Sequence, residues 1–127
     1  MVAASDYLED KVLDHVLGIA AFEMPSGLYV ALYTSATTDD GGGDEVTGGS
    51  YERKAVTFGV GAEANQRTNT ASINFTNMPE VTVTHVALHD AAVLGNMLLH
   101  GPLTVPVSVA AGTTFTFAAG DLDVTLN

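Results

Sequence analysis

The chain has 127 residues and a mass of 13.1 kDa, a size that predicts one domain over residues 1–127. Fifteen acidic side chains against four Lys and Arg give a formal net charge of −11, which opposes binding to nucleic acid or to an anionic membrane surface. Cysteine is absent, which excludes disulfides, thiolate metal sites and a cysteine nucleophile. No apolar run approaches the roughly 20 residues that cross a bilayer, and the start MVAASDYLEDK lacks the features of a signal peptide, so we expect folding in a cytosol.

The first predicted element is an amphipathic helix over residues 5–17. Ser5 is a suitable N-cap, and Asp6 and Glu9 favour the positive end of the helix. Apolar side chains recur at helical spacing on one face: Leu8, Val12, Val16 and Ala20, widened by Leu13 and Leu17. Gly18 is a stop signal. We expect the apolar face to dock on a sheet or on a neighbouring subunit.

From residue 27 onward the apolar period changes to two, which predicts strands. The segment GLYVALYT, residues 27–34, puts Leu28, Val30 and Leu32 on one face and Tyr29, Ala31 and Tyr33 on the other. Since neither face is strongly polar, one is expected in the core and the other against a second surface. The predicted interface residues are therefore Leu8, Val12 and Val16 of the helix and Tyr29, Ala31 and Tyr33 of the strand.

The rest of the chain also reads as short strands between turn signals. The predicted segments are residues 51–58, 71–76, 81–89, 96–100, 104–109, 113–117 and 121–126. About eight short strands with one N-terminal helix fit an antiparallel β-sandwich or jelly roll better than a parallel sheet with helical crossovers.

Residues 37–50, TTDDGGGDEVTGGS, predict a flexible, solvated loop because glycines and acids dominate. Asp39, Asp40, Asp44 and Glu45 supply the oxygen atoms that Ca²⁺ prefers, so a calcium site is the alternative. The spacing does not match an EF-hand, and three consecutive glycines offer no side-chain ligands. We favour a plain surface loop.

Histidines lie in the second half of the chain, and two of them share one predicted strand. In an extended strand, His85 and His89 would stand about 13 Å apart, too far to bind one ion. Cross-strand pairing would bring His100 beside one of them, which leaves a His/Asp site with Asp90 as the alternative. We predict ordinary strand or interface histidines, no metal and no cofactor.

Patterns of catalytic sites are also lacking in the sequence. No P-loop lysine is present, and neither Ser50 nor Ser108 has a nucleophile elbow around it. The adjacent carboxylates Asp39–Asp40 and Asp44–Glu45 lie in a loop that offers nothing to raise the pKa of one above that of its neighbour, as acid–base catalysis requires. The sequence therefore predicts a protein that is not an enzyme.

Six segments occur in an order that resembles small structural proteins of tailed bacteriophages, commonly labelled phage tail fibre proteins. They are YLEDKVLDHVLG, GLYVALYT, GGSYERKAVTF, VTHVALHDA, GNMLLHGPL and AGDLDVTL, and together they span nearly the whole chain. Each is no more than a strand or helix with a turn, so the specificity lies in their order. The resemblance implies a virion protein without catalytic residues.

A self-standing fibre shaft generally needs heptads, collagen triplets or a solenoid repeat, and the sequence has none. Our leading hypothesis is therefore a homo-oligomeric capsid (head) decoration or cement protein, with a homotrimer as the candidate state, that binds the major capsid protein through apolar contacts. One alternative is a tail fibre or tail-associated host-recognition component. Another is a carbohydrate-binding β-sandwich with Tyr29, Tyr33 and Tyr51 as its platform, although four Tyr, five Phe and no Trp weaken it.

Overall fold

The N-terminal helix matches the sequence prediction. A computed structural model describes residues 3–126, in which a short strand β1 (Ala3–Ala4) leads into helix α1 (Asp6–Val16). The hydroxyl of Ser5 accepts a hydrogen bond from the backbone N–H of Leu8 at 3.2 Å, which satisfies one of the free donors of the first turn. Leu17 is the C-cap and Gly18 follows with φ of 80°, the left-handed conformation that commonly ends a helix. No helix among residues 3–126 is long and apolar enough to cross a bilayer.

The described residues form three antiparallel sheets. The further strands are β2 (Tyr29–Tyr33), β3 (Lys54–Ala55), β4 (Phe58–Val60), β5 (Gln66–Asn69), β6 (Ile73–Phe75), β7 (Val81–His89), β8 (Met97–Val109), β9 (Phe115–Phe117) and β10 (Asp123–Thr125). The large sheet has the order β1-β8-β7-β2-β3, a second has the order β10-β5-β4, and β6 pairs with β9. The fold is mainly β with antiparallel strands and one N-terminal helix, as the sequence predicts.

The core lies between the large sheet and the two smaller ones. Val30 and Leu32 of β2 point into it, as the alternation predicts. Phe75 of β6 is fully buried and meets the rings of Phe115 and Phe117 edge-on at centroid distances of 6.2 and 6.4 Å. Burying one such large apolar side chain stabilises a fold by about 1.5–3 kcal/mol. These rings belong to the same buried cluster as Val30 and Leu32 of the large sheet and, packed against it, Phe58 and Val124 of the second sheet, so the core holds the three sheets together.

The opposite face of the large sheet is buried as well. Ala31 and Ala87 are cross-strand partners on β2 and β7, and they cluster with Tyr33 and Met97. Because alanine side chains are short, they leave room for the Tyr33 ring, which stacks on His89 with 6.3 Å between ring centroids. Both faces of β2 are thus packed within the chain.

Two strand predictions need correction. Residues 51–58 were predicted as one strand, but the chain changes sheets there: Val56 donates to the carbonyl of Leu28 at 3.0 Å beside the large sheet, whereas Phe58 pairs with Asn69 in the second sheet. Residues 96–100 and 104–109 were predicted as two strands, but both belong to β8. A bulge in β8 accommodates the extra residues, since Val83 pairs with Val107 while His85 pairs with Pro102.

Candidate functional site

The predicted apolar face of α1 lies largely open. Its accessible part and the adjoining Ile19 form what we call the helix strip, which consists of Val12, Leu13, Val16, Leu17 and Ile19, and the exposed fraction rises from 44% at Val12 to 72% at Ile19. No residue of α1 is buried, and Leu8 is half-buried. A contiguous exposed apolar surface of this kind is typical of a protein–protein contact.

A groove of about 440 Å³ adjoins the helix strip. Apart from Glu9 its lining is apolar, and the apolar residues are Ala4, Leu8, Val12, Leu13, Leu99, Val124 and Leu126. The groove therefore extends the strip from α1 across to the C-terminal strand β10.

The predicted interface residues of β2 have a different environment. Ala31 and Tyr33 are 0% and 3% exposed, and Tyr29 is half-buried. Gly43 of the acidic loop lies against Tyr33, since a Cβ at Gly43 would stand 3.1 Å from Cδ1 of the ring. Ala31 and Tyr33 therefore pack against their own chain and offer no surface to a partner.

The acidic loop is hydrogen-bonded to the large sheet. Residues 44–46 pair back with the end of β2, because Thr34 donates to the Asp44 carbonyl and Val46 donates to the Leu32 carbonyl, each at 2.9 Å. The start of the loop contacts His100, whose Nδ1 lies 2.8 Å from Thr37 Oγ1 and whose Nε2 lies 2.9 Å from Asp39 Oδ1. Asp39, Asp40 and Asp44 are exposed, in agreement with the predicted surface loop, and these hydrogen bonds hold the loop on the outer face of the large sheet.

The carboxylates of this loop have separate partners. Asp39 bonds His100, Asp40 bonds Thr38, and Glu45 bonds Arg53. Hydrogen bonds from the Thr38 hydroxyl and a backbone N–H hold the pKa of Asp40 below its usual value. Within residues 3–126 no group of three or more His, Asp and Glu side chains is arranged to hold a metal ion.

The histidines also lie apart from one another. His85 Nδ1 lies 2.8 Å from Thr84 Oγ1, whereas His89 Nε2 lies 2.9 Å from the Tyr33 hydroxyl. The other nitrogen of His89 is buried and has no hydrogen-bond partner among residues 3–126. Burial, with a smaller contribution from the Arg53 charge, lowers the pKa of His89 to about 4, so this ring is neutral near pH 7.

A partly buried ion pair lies at one end of the large sheet. Arg53 Nε and Nη2 donate to the two carboxylate oxygens of Glu45 at 3.0 and 2.9 Å, and the Tyr51 hydroxyl donates to Glu45 at 2.8 Å. Burial alone would raise the pKa of Glu45, but these hydrogen bonds outweigh it and hold the pKa below its usual value. Tyr51 in turn accepts from the backbone N–H of Leu32 at 2.9 Å, and burial raises its pKa.

The same arginine clamps the loop between β7 and β8, residues 91–95, which we call the hairpin tip. Arg53 Nη1 donates to the carbonyls of Ala91 and Leu94 at 3.0 and 2.7 Å. The side chain of Asp90 accepts from the N–H and the side-chain amide of Asn96 at 2.7 and 3.0 Å, which closes the base of the tip. No local sequence pattern indicates this clamp, because its partners are 38 and 41 residues apart along the chain.

A surface platform of tyrosines, which the carbohydrate-binding alternative needs, does not form among the described residues. Tyr33 is buried on the outer face of the large sheet, whereas Tyr51 stacks on Phe75 of the core with 5.9 Å between centroids. The two rings therefore lie on opposite sides of the sheet.

The family of the chain follows from comparison with known proteins. No relative of the chain was found among curated proteins. The family model of the podophage GP4 fiber I protein gp80 matches residues 3–125. Since this match spans almost the whole chain, the protein belongs to the podophage GP4 fiber I protein gp80 family and is a virion-associated bacteriophage structural protein of the tail fibre type.

Proposed function

We propose that the chain is a non-enzymatic subunit of a phage tail fibre, which assembles with further copies of itself through the helix strip. The observation that carries this proposal is the open apolar face of α1, together with the apolar groove beside it. The description of the family as a fiber protein supports a location in the fibre over one on the capsid.

The helix strip is suited to assembly because it combines exposure with a fixed backbone. The capped helix presents Val16 and Leu17 at 71% and 68% exposure, and their rotamers lose little freedom on burial. Apolar area removed from water contributes about 25 cal/mol per Å². A stable interface generally buries about 800 Å² on each partner, and the strip and the groove adjoin on one side of the chain.

Charge opposes this association in a measurable way. Each copy carries a net charge of −11, and Asp10 and Asp14 lie on α1 itself. Like charges repel across a Debye length of about 10 Å at 0.1 M salt and about 3 Å at 1 M. Self-association through the helix strip should therefore strengthen as salt is added.

The first test is the oligomeric state of the purified protein by sedimentation velocity, from about 0.05 M to about 0.5 M salt. The wild-type chain should form oligomers, more so at high salt, and Val16→Glu (V16E) should be monomeric throughout. Thr82→Glu adds the same charge at an exposed position of β7 and should assemble as the wild type does. A wild-type chain that is monomeric at every salt concentration, or V16E assembling normally, would contradict the proposal.

The second test is location in the virion. Immunogold labelling should mark the fibres that extend from the tail. Labelling spread over the head would replace the fibre assignment with capsid decoration through binding to the major capsid protein. The homotrimeric state stays a prediction, which the molar mass from sedimentation checks.

A further inference from the structure

The hairpin tip is apolar and exposed where turns are usually polar. Val93 and Leu94 are 75% and 82% exposed, and alanines precede them. Turn positions favour Gly, Asn, Asp, Ser and Pro, because these residues suit the backbone conformations and local hydrogen bonds of turns. At this exposure the side chains of Val93 and Leu94 bury little apolar area against their own chain, so they contribute little to its stability.

The backbone at the tip makes the choice of leucine more unusual. Leu94 has φ of 58°, the left-handed region, which costs an L-residue with a bulky side chain about 1–2 kcal/mol. Glycine or asparagine would adopt this conformation with less strain. The next residue, Gly95, has φ of 71°, and a Cβ there would stand 2.5 Å from Asp90 Oδ1. Glycine therefore fits position 95, whereas position 94 carries leucine in the same left-handed region.

The clamp by Arg53 holds the strained tip in one geometry. The Arg53 side chain is 10% exposed, and its guanidinium donates to the carbonyls of Ala91 and Leu94 and to the carboxylate of Glu45. A loop that is ordered before binding loses little conformational entropy when a partner arrives. The tip is therefore a preorganised apolar knob.

Acidic side chains lie on two sides of this knob, and we call them the acidic collar. On one side a cleft of about 400 Å³ is lined by Gly95 and Asn96 together with Asp6, Asp39 and Asp40. On the other side a second cleft is lined by Val93 and Leu94 together with Glu45, Glu52 and Arg53, and Glu52 pairs with Lys54. The complementary surface is an apolar socket with Lys and Arg at its rim.

A second copy of this chain does not supply such a rim. Its four cations already have partners: Arg53 bonds Glu45, Lys54 bonds Glu52 at 3.0 Å, Lys11 lies 5.7 Å from the ring centroid of Tyr7, and Arg67 donates to the carbonyls of Ala64 and Gln66. The chain as a whole has 15 acidic side chains against these four cations. A different protein with Lys and Arg around an apolar socket is therefore the better match.

We propose that the hairpin tip is a second docking element, which inserts Val93 and Leu94 into an apolar socket with a basic rim on another protein of the virion. This inference adds a contact to the proposed assembly through the helix strip and does not depend on it. The two contacts differ in their response to salt. Screening weakens the attraction between the acidic collar and a basic rim, whereas it strengthens association between copies of like charge.

The experiment compares Leu94→Asn (L94N) with Val105→Asn, a control at another exposed apolar position of β8. Phages are produced with each variant by complementation, and the chain retained per purified virion is quantified by mass spectrometry after washes of rising salt. L94N should be retained about tenfold less than the wild type, as for a hot-spot residue, and Val105→Asn should be retained normally. The purified L94N protein should be as stable as the wild type or more so, because asparagine relieves the strain.

A photo-crosslinking residue at position 93 identifies the partner in intact virions. We expect an adduct with a virion protein other than this chain, at an apolar segment flanked by Lys or Arg. We also expect that washes at high salt remove wild-type chain from the virions. An adduct between two copies of this chain, the absence of any adduct, or normal retention of L94N would overturn it. Self-association of purified L94N should be unchanged, so a failure here is distinguishable from a failure of the helix-strip proposal, which V16E tests.

Discussion

Replacing Arg53 by methionine should destabilise the protein by about 3 kcal/mol. The guanidinium makes two hydrogen bonds to Glu45 and two to carbonyls of the hairpin tip. Removing one member of a buried ion pair costs about 3–5 kcal/mol. We expect the lower end of this range because the Glu45 side chain keeps 26% exposure, so water partly solvates the carboxylate left behind. For a domain with a typical stability of 5–15 kcal/mol, this is a large fraction of the free energy of unfolding.

Urea unfolding followed by circular dichroism measures this cost, and three further variants test its origin. Arg53→Lys keeps the charge but cannot span carboxylate and carbonyls at once, so about 1–2 kcal/mol should be lost. Adding Glu45→Gln to Arg53→Met removes the stranded charge and should recover about 1 kcal/mol. Lys54→Met breaks the exposed pair with Glu52 and should cost less than about 1 kcal/mol. Two results would contradict the clamp. One is a loss of unfolding free energy in Arg53→Met no larger than that in Lys54→Met, and the other is an unchanged rate of amide exchange at Asn96, at the base of the tip.

Two further predictions concern buried polar side chains. Because the pKa of His89 is lowered to about 4 in the folded chain from 6.5 in the unfolded chain, the unfolded chain binds more protons between these values. The free energy of unfolding should therefore fall by about 2 kcal/mol as pH drops from 6.5 to 4, and His89→Phe should flatten this dependence in urea titrations at each pH. Asn69, which is buried, donates to two backbone carbonyls and accepts from one backbone N–H. Asn69→Leu should cost about 3 kcal/mol in the same assay, against less than about 1 kcal/mol for the exposed Asn74→Leu, and equal costs would contradict the role of the amide.

The apolar periodicity of the sequence predicts those elements in which exposed and buried side chains alternate. The helix over residues 5–17 and the strand over residues 81–89 have nearly the observed bounds, because apolar spacing and burial coincide there. Strand β5, Gln66–Asn69, escaped prediction because it has no apolar side chain to reveal a buried face. Its buried residue is Asn69, whose side-chain amide links the end of β5 to the turn over residues 118–122 by hydrogen bonds. Such a role depends on pairing partners that are distant in sequence and leaves no local pattern.

The candidate site was predicted in part, for a related reason. Alternation in β2 assigns Tyr33 to the face opposite the core, but it cannot tell which group covers that face. The glycine-rich loop covers it, and a Cβ at Gly43 would stand only 3.1 Å from Cδ1 of the Tyr33 ring. For α1 no segment of the described chain folds over Val16, so the predicted apolar face is available there. Leu94 gave no signal, because leucine has no preference for the left-handed conformation that the clamp imposes.

Charge and apolar surface together constrain how copies of this chain can assemble. The four cations are engaged within the chain, so the acidic excess lies on the surface. At physiological salt the Debye length is about 8 Å, so only acids near a contact oppose it, and for the helix strip these include Asp10 and Asp14 of α1. The cost of bringing two strips together is therefore local, and a few buried apolar side chains can exceed it, at about 1.5–3 kcal/mol each when fully buried. At the hairpin tip only two large apolar side chains are exposed and the collar is acidic, so a second acidic copy would add repulsion without enough burial to offset it. The tip is accordingly better matched to a basic partner, and the helix strip to another copy of the chain.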